Sequence, residues 1–261
     1  MQKHHKESIE KFLTIYQTDT AILAILLGGS IAHGFAKSDS DIDVTIIVDE
    51  VEHARRKQEK KLAFSLWDIC TYPGGYIDCK VVNMDFLQKV SEKGSDPARY
   101  AYEDNTILFS RIDNLEAILV KISDFPVQDK ANRKDRFAAQ LLAWRWYYSE
   151  GVKKENNYLI YLALQKIVLF SCRLILNENE MLYPYHKWLL RVVERAEVKP
   201  EGFDKALTQL LAAHDLETVN QFSSQLIRFL QIDEKALDWP NHFLHDSELN
   251  WMEHEPPIDD L

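Results

Sequence analysis

The sequence predicts an α+β N-terminal domain on a small mixed sheet, followed by an all-α helical bundle. Two observations carry that reading. Short apolar runs alternate with helix-period segments up to about residue 110, and beyond residue 134 the period is helical throughout. Between them, residues 121–134 (KISDFPVQDKANRK) are polar with a central proline and read as a linker. The expected division is therefore a first domain at 1–120, the linker at 121–134, a helical domain at 135–246 and an acidic tail at 247–261.

Within the first part, Ile9, Phe12, Leu13 and Tyr16 make an i, i+3, i+4, i+7 stripe, so a helix is expected there. Ala21–Leu27 is a short apolar run stopped by Gly28-Gly29, which suits a buried strand. Val44–Val48 reads as a second strand, Tyr76–Val82 as a third after the turn signal Pro73-Gly74-Gly75, and Thr106–Phe109 as a fourth. Helices are expected at about 49–61, 84–93 and 112–122. In the second part, helices are expected at Arg136–Tyr148, Asn157–Leu176, Tyr185–Arg195, Phe203–Ala213 and Leu216–Leu230. The tail, with Glu255-Pro256-Pro257, reads as loosely ordered.

The 261 residues carry 31 Lys and Arg against 41 Asp and Glu, a net charge of −10. That balance disfavours a protein built to grip a nucleic-acid backbone. Residues 121–246 are formally neutral, 17 basic against 17 acidic, so the excess acidity belongs to residues 1–120 and to the tail. Purely apolar runs such as Ala21–Leu27 are far shorter than a membrane span, and the N-terminus shows no signal-peptide pattern. Cys70, Cys79 and Cys172 form no CxxC pair. Reduced thiols, a cytoplasmic location and no membrane partner are the expectation.

One stretch stands apart: Gly28-Gly29-Ser30, ten residues, then Asp41-Ile42-Asp43. Glycines at the end of a strand let a backbone approach a ligand closely, and free N–H groups at a following helix start can meet phosphate oxygens. Asp41 and Asp43, at i and i+2 on an extended segment, place both carboxylates on one side. Carboxylates that close repel each other, and a divalent cation relieves the repulsion; magnesium suits a few carboxylates, with water and phosphate completing its shell. Asp78 is centred in another expected strand. If the two strands are neighbours, three carboxylates meet above one surface, a geometry that fits two-metal phosphoryl or nucleotidyl transfer.

In these residues the sequence resembles the nucleotidyltransferase superfamily that includes DNA polymerase β and the aminoglycoside nucleotidyltransferases. Gly29-Ser30, Asp41-Ile42-Asp43 and Asp78 match its signature in order and spacing, Gly34 fits the glycine of the spacer, and the resemblance covers roughly residues 20–110. It implies that Asp41 and Asp43 hold two Mg²⁺ ions and that Asp78 completes one metal site. It implies further that Gly29 N–H and the Ser30 hydroxyl hold the β- and γ-phosphates of ATP or another nucleoside triphosphate, and that Ser40 touches phosphate as well. The reaction implied moves a nucleoside monophosphate, AMP from ATP, to a hydroxyl of a small polar acceptor such as an aminoglycoside, with pyrophosphate released. Asp78 could take the acceptor's proton, with Glu103 and Asp104 as further candidates. Two other readings stand beside this one: a protein or tRNA nucleotidyltransferase of a toxin–antitoxin type, and a nucleotide-binding regulatory module without turnover.

A Walker A loop is excluded, because Phe35-Ala36 follows Gly34 where lysine is required. His242 and His245 lack the companion ligands of a zinc site, and no Arg is followed by His at four to six intervening residues, which disfavours a nuclease. His33 could touch substrate or pack locally. In the helical half, Trp144-Arg145-Trp146-Tyr147-Tyr148 packs four aromatics into five residues, too many for one helix face, so some are expected outside the core. Lys187, expected in the first turn of the Tyr185–Arg195 helix, opposes the helix dipole, which hints at another partner such as triphosphate; the alternative is a solvated Lys187 with Trp188 packed in the core. The sequence assigns neither the acceptor nor an oligomeric state.

Overall fold

The computed structural model describes residues 1–212, 215–253 and 255–260, in two compact units, Met1–Asp124 and Phe125–Leu261. Unit one runs α1 (Lys3–Tyr16), β1 (Ile22–Leu27), α2 (Gly29–Ala32), β2 (Ile42–Val48), α3 (Glu50–Gln58), β3 (Ala63–Leu66), β4 (Ile77–Val82), α4 (Met84–Lys93), α5 (Asp96–Tyr100), β5 (Thr106–Ser110) and α6 (Leu115–Ser123). The strands form one mixed five-stranded sheet in the order β3-β4-β2-β1-β5, with β2 and β4 parallel and the other neighbours antiparallel. This is the α+β class with the mixed sheet that the sequence predicts.

Strand alternation divides the sheet into two faces. On one, Ile25, Leu27, Ile42, Val44, Ile46, Ile77, Cys79 and Val81 pack with Ile9 and Phe12 of α1. On the other, Ala24, Leu26, Ile47 and Val82 pack with Leu87 and Val90 of α4 and with Leu119 and Ile122 of α6. Phe12 is fully buried, and such burial contributes about 1.5–3 kcal/mol. Both α3 and α4 begin at a side-chain cap: Asp49 accepts from Glu52 N–H, and Asn83 accepts from Phe86 N–H.

Two elements differ from the sequence reading here. β3 is an edge strand whose half-buried residues, Phe64 and Leu66, are too few to mark it among polar neighbours. The five-residue α5, entered by Asp96-Pro97, is too short to show a period.

Unit two contains α7 (Lys130–Lys153), α8 (Asn157–Glu178), α9 (Leu189–Val193), α10 (Phe203–Ala212), α11 (Leu216–Phe229) and α12 (Trp239–Phe243). Segment 121–134, read as a linker, is helical at both ends: α6 runs to Ser123 and α7 starts at Lys130. Pro126 and the 3₁₀ turn Val127–Asp129 are what remain of the break. α7 packs along α8, burying Leu141, Leu142 and Tyr148 on one and Ile167, Cys172 and Ile175 on the other. Of the aromatic run, Tyr148 is buried and Trp146 is half exposed, while Trp144 donates to Gln140 one turn earlier at 3.1 Å.

By length and composition α8 could cross a membrane, with mean hydropathy 1.9 over an 18-residue window, half of it buried within the protein. Gln165, Lys166 and Arg173 interrupt its apolar residues. The expected helix Phe203–Ala213 ends at Ala212, and Ala213 lies outside the described residues. The tail holds the short turns Asn250–Met252 and Ile258–Asp260, with His254 and Leu261 outside the described residues.

Candidate active site

The site grows from the alternation of β2 and β4. Asp43 shares its face of β2 with Thr45 and Ile47, and Asp78 shares its face of β4 with Lys80 and Val82. The parallel register sets Asp43 opposite Asp78, Thr45 opposite Lys80 and Ile47 opposite Val82. At Ile47 and Val82 this face lies in the core under α4 and α6; at Asp43 and Asp78 it reaches half-buried and exposed positions. Asp41 falls one residue before β2, two before Asp43. The topology therefore makes Asp43 and Asp78 cross-strand neighbours, with Asp41 at the entrance to the same strand.

Opposed carboxylates at neighbouring register positions repel each other unless donors or a cation answer them. Some donors are present. The Ser65 hydroxyl on β3 donates to Asp78 Oδ1 at 2.9 Å, and the Tyr76 hydroxyl donates to Asp41 Oδ2 at 2.9 Å. The bond to Asp41 raises the Tyr76 phenol above its ordinary range. Trp67, 63% exposed, stacks on Tyr76 with ring centroids 4.5 Å apart. Lys80 lies over the Phe86 ring at 5.0 Å, and burial lowers its ammonium below the ordinary value.

The Gly-Gly-Ser turn folds directly onto Asp43. Gly28 N–H donates to the Asp43 carbonyl at 2.9 Å. Gly29 has φ +60°, and a Cβ there would stand 1.7 Å from Asp43 Oδ2. Only a residue without a side chain lets the backbone pass so close to that carboxylate. Ser30 is 5% exposed, and its hydroxyl has no hydrogen-bond partner among the described residues.

The Leu27–Thr106 register brings Asn105, the residue before β5, beside Gly28. Its Oδ1 lies 3.1 Å from where a Gly28 Cβ would be, and neither Oδ1 nor Nδ2 has a partner among the described residues. A buried polar group left in that state costs about 1–3 kcal/mol.

These features bear on magnesium. The donors are carboxylate and hydroxyl oxygens, which suit a hard cation. The orphaned Ser30 hydroxyl leaves a polar atom for a charged ligand to satisfy, and the Gly29 backbone runs directly beside the Asp43 carboxylate. Among the described residues no three acidic, His or Cys side chains converge closely enough to hold an ion by themselves.

The other sequence candidates take different places. Ser40 Oγ accepts from Lys37 N–H at 2.9 Å and its carbonyl accepts from Tyr72 at 2.7 Å, so Ser40 closes its own loop. The His33 side chain is 4% exposed, stacks on Tyr100 at 4.4 Å and meets Asp104 Oδ2 at 3.3 Å, which is a packing role. Lys187 is exposed on unit two, 5.1 Å from the Trp188 ring. The helix expected from Tyr185 does not form there. Tyr185 has φ +69°, His186–Trp188 is a 3₁₀ turn and α9 begins at Leu189, so the dipole argument for Lys187 loses its basis. Ser65, Tyr76 and Asn105 were missed by sequence reasoning. Only Tyr76 carried a signal, as the first residue of the expected third strand.

Residues 10–96, about a third of the chain, match the family model for polymerase beta nucleotidyltransferases. A nucleotidyltransferase-like protein from Exiguobacterium sibiricum has a similar fold: TM-score 0.50 at 14% identity, covering 97% of this chain and 81% of that one. A spectinomycin adenyltransferase from Enterococcus faecialis, whose structure holds ATP and spectinomycin, aligns at TM-score 0.37 and 15% identity over 85% of this chain and 98% of that one. No curated protein matches the sequence. The family match falls within the first unit, which resembles a nucleotidyltransferase domain of the polymerase β superfamily.

Proposed function

We propose that the protein is a magnesium-dependent nucleotidyltransferase that moves AMP from ATP to a hydroxyl of a small polar acceptor. The observation that carries this reading is the pairing of Asp43 with Asp78 across β2 and β4, with Gly29 folded against the Asp43 carboxylate. Asp41 and Asp43 would hold two Mg²⁺ ions, with Asp78 completing one of the two metal sites. When bound, Mg²⁺ supplies charge neutralisation for the triphosphate and orients its α-phosphate.

The chain's own residues account for the rest. The Gly29 N–H and the orphaned Ser30 hydroxyl donate to the β- and γ-phosphate oxygens. Tyr76 fixes Asp41 through its 2.9 Å bond, and Ser65 fixes one oxygen of Asp78. Asp78 Oδ2, with no hydrogen-bond partner among the described residues, takes the acceptor's proton as the acceptor oxygen bonds to the α-phosphorus. The bond from the α-phosphorus to the bridging oxygen breaks and pyrophosphate leaves. Catalysis here is mostly positioning and charge neutralisation. The acidic balance of residues 1–120, 19 acids against 14 bases, favours a cationic acceptor such as an aminoglycoside.

Pyrophosphate release from ATP over a panel of hydroxylated acceptors, with and without Mg²⁺, tests the reading. Turnover that needs both Mg²⁺ and Asp43 supports it. Binding of Mg·ATP with no turnover on any acceptor would favour a regulatory nucleotide-binding module instead.

A further inference from the structure

We infer that Asn105 is a donor-binding residue, its side-chain amide donating a hydrogen bond to the triphosphate of the bound nucleotide. The inference rests on the transferase reading and extends it to a residue outside the Gly-Ser and Asp-x-Asp motifs.

Three observations carry it. Asn105 holds both ends of its amide buried without a partner among the described residues, although an amide can make up to four hydrogen bonds. Folded proteins seldom leave such a group unsatisfied: an ordered water, an ion or a bound ligand completes it. Its position is specific: the β1–β5 register puts it beside Gly28, where a Cβ would be crowded by its amide, with Oδ1 at 3.1 Å and Nδ2 at 3.7 Å. A second orphan sits two residues from Gly28, the hydroxyl of Ser30, on a side chain more than nine-tenths buried. Two unsatisfied polar side chains thus flank the Gly28-Gly29 turn, one from β5's leading edge and one from α2.

The chemistry of the pair selects the ligand. A hydroxyl and an amide N–H₂ are neutral donors, and together with the backbone N–H groups of the turn they suit an anion rich in acceptor oxygens. A polyphosphate supplies those oxygens. Lysine or arginine is not needed at this turn, because charge neutralisation falls to the metal held by the carboxylates.

The arrangement also separates binding from folding. Leucine has nearly the shape of asparagine and no polar atoms. Asn105→Leu removes a buried unsatisfied group, so it should leave the thermal midpoint unchanged or raise it. Asn105→Asp keeps the shape and replaces the donor with an acceptor that repels phosphate.

The experiment is calorimetric titration of wild type and both variants with Mg²⁺ and α,β-methylene-ATP, alongside thermal unfolding of each protein. We expect affinity to fall about tenfold in Asn105→Leu and at least as far in Asn105→Asp, with the midpoint of Asn105→Leu not lowered. Wild-type affinity in either variant would overturn the assignment, as would a loss of affinity in Asn105→Leu matched by a lowered midpoint. If wild type itself binds no nucleoside triphosphate, the transferase reading fails first, and this assignment with it.

Discussion

A methyl group on Gly29 would stand 1.7 Å from Oδ2 of Asp43, so the two residues are fitted to each other at the backbone. Gly29 also has φ +60°, a conformation that costs an L-residue about 1–2 kcal/mol. Gly29→Ala is expected to displace the Asp43 carboxylate and to abolish nucleotidyl transfer while β1 and β2 remain paired. Far-ultraviolet circular dichroism checks the fold, and pyrophosphate release checks the loss. Retained activity would show that the close approach is not needed.

Asp43 and Asp78 are register partners with like charge. In the absence of divalent cation, Asp78→Asn should leave stability unchanged or raise it by about 0.2–1 kcal/mol, since it removes one of two opposed charges. With Mg²⁺ and ATP the same variant should lose about 100-fold or more in turnover, the scale of losing a group that acts on the developing charge. Urea unfolding and steady-state turnover measured on one preparation test the opposite signs together.

Tyr76 donates to Asp41 at 2.9 Å. Removing that hydroxyl as Tyr76→Phe keeps the ring stacked on Trp67 and frees one Asp41 oxygen. A bond of this kind is worth about 0.5–1.5 kcal/mol, or roughly 2- to 12-fold in an equilibrium. The expected result is a higher Mg²⁺ concentration for half-maximal activity with little change in thermal midpoint. A titration of activity against Mg²⁺ reads it directly.

Burial pushes the thiols of Cys79 and Cys172 up to about 12. A raised thiol pKa keeps the neutral form at every pH below it. At pH 8 the thiolate fraction is therefore on the order of 1 in 10,000, and the thiolate is the reactive form. Burial raises the thiol of half-buried Cys70 as well. Labelling with a thiol reagent at pH 8 should be slow in buffer and should reach three groups per chain in denaturant. Fast labelling of Cys79 in buffer would mean that the α1 face of the sheet opens.

Much of this fold is legible in the sequence because period and chemistry agree. The stripe of Ile9, Phe12 and Tyr16, the run to Leu27 and the run to Val82 each specify an element by their own spacing. The placement of Gly29 beside Asp43, and of Asp43 beside Asp78, was legible because a glycine turn and spaced carboxylates have few other uses together. What stayed hidden depends on register. Ser65 matters only because edge strand β3 lies antiparallel to β4, and Asn105 only because β5 pairs with β1. Neither pairing leaves a periodic trace in a four- or five-residue strand. Lys187 shows the converse. A charge argument built on an expected helix fails when Tyr185 takes positive φ and the helix starts four residues later.

The central claim, that Asp41, Asp43 and Asp78 form a two-ion site, is tested most directly by electron paramagnetic resonance of Mn²⁺ in place of Mg²⁺. With α,β-methylene-ATP bound, two ions about 3.5–4 Å apart should give a coupled di-manganese spectrum. The account predicts that spectrum for the wild type and its loss in Asp43→Asn. A wild type showing only isolated Mn²⁺ at saturating nucleotide, or an unchanged coupled signal in Asp43→Asn, would contradict it.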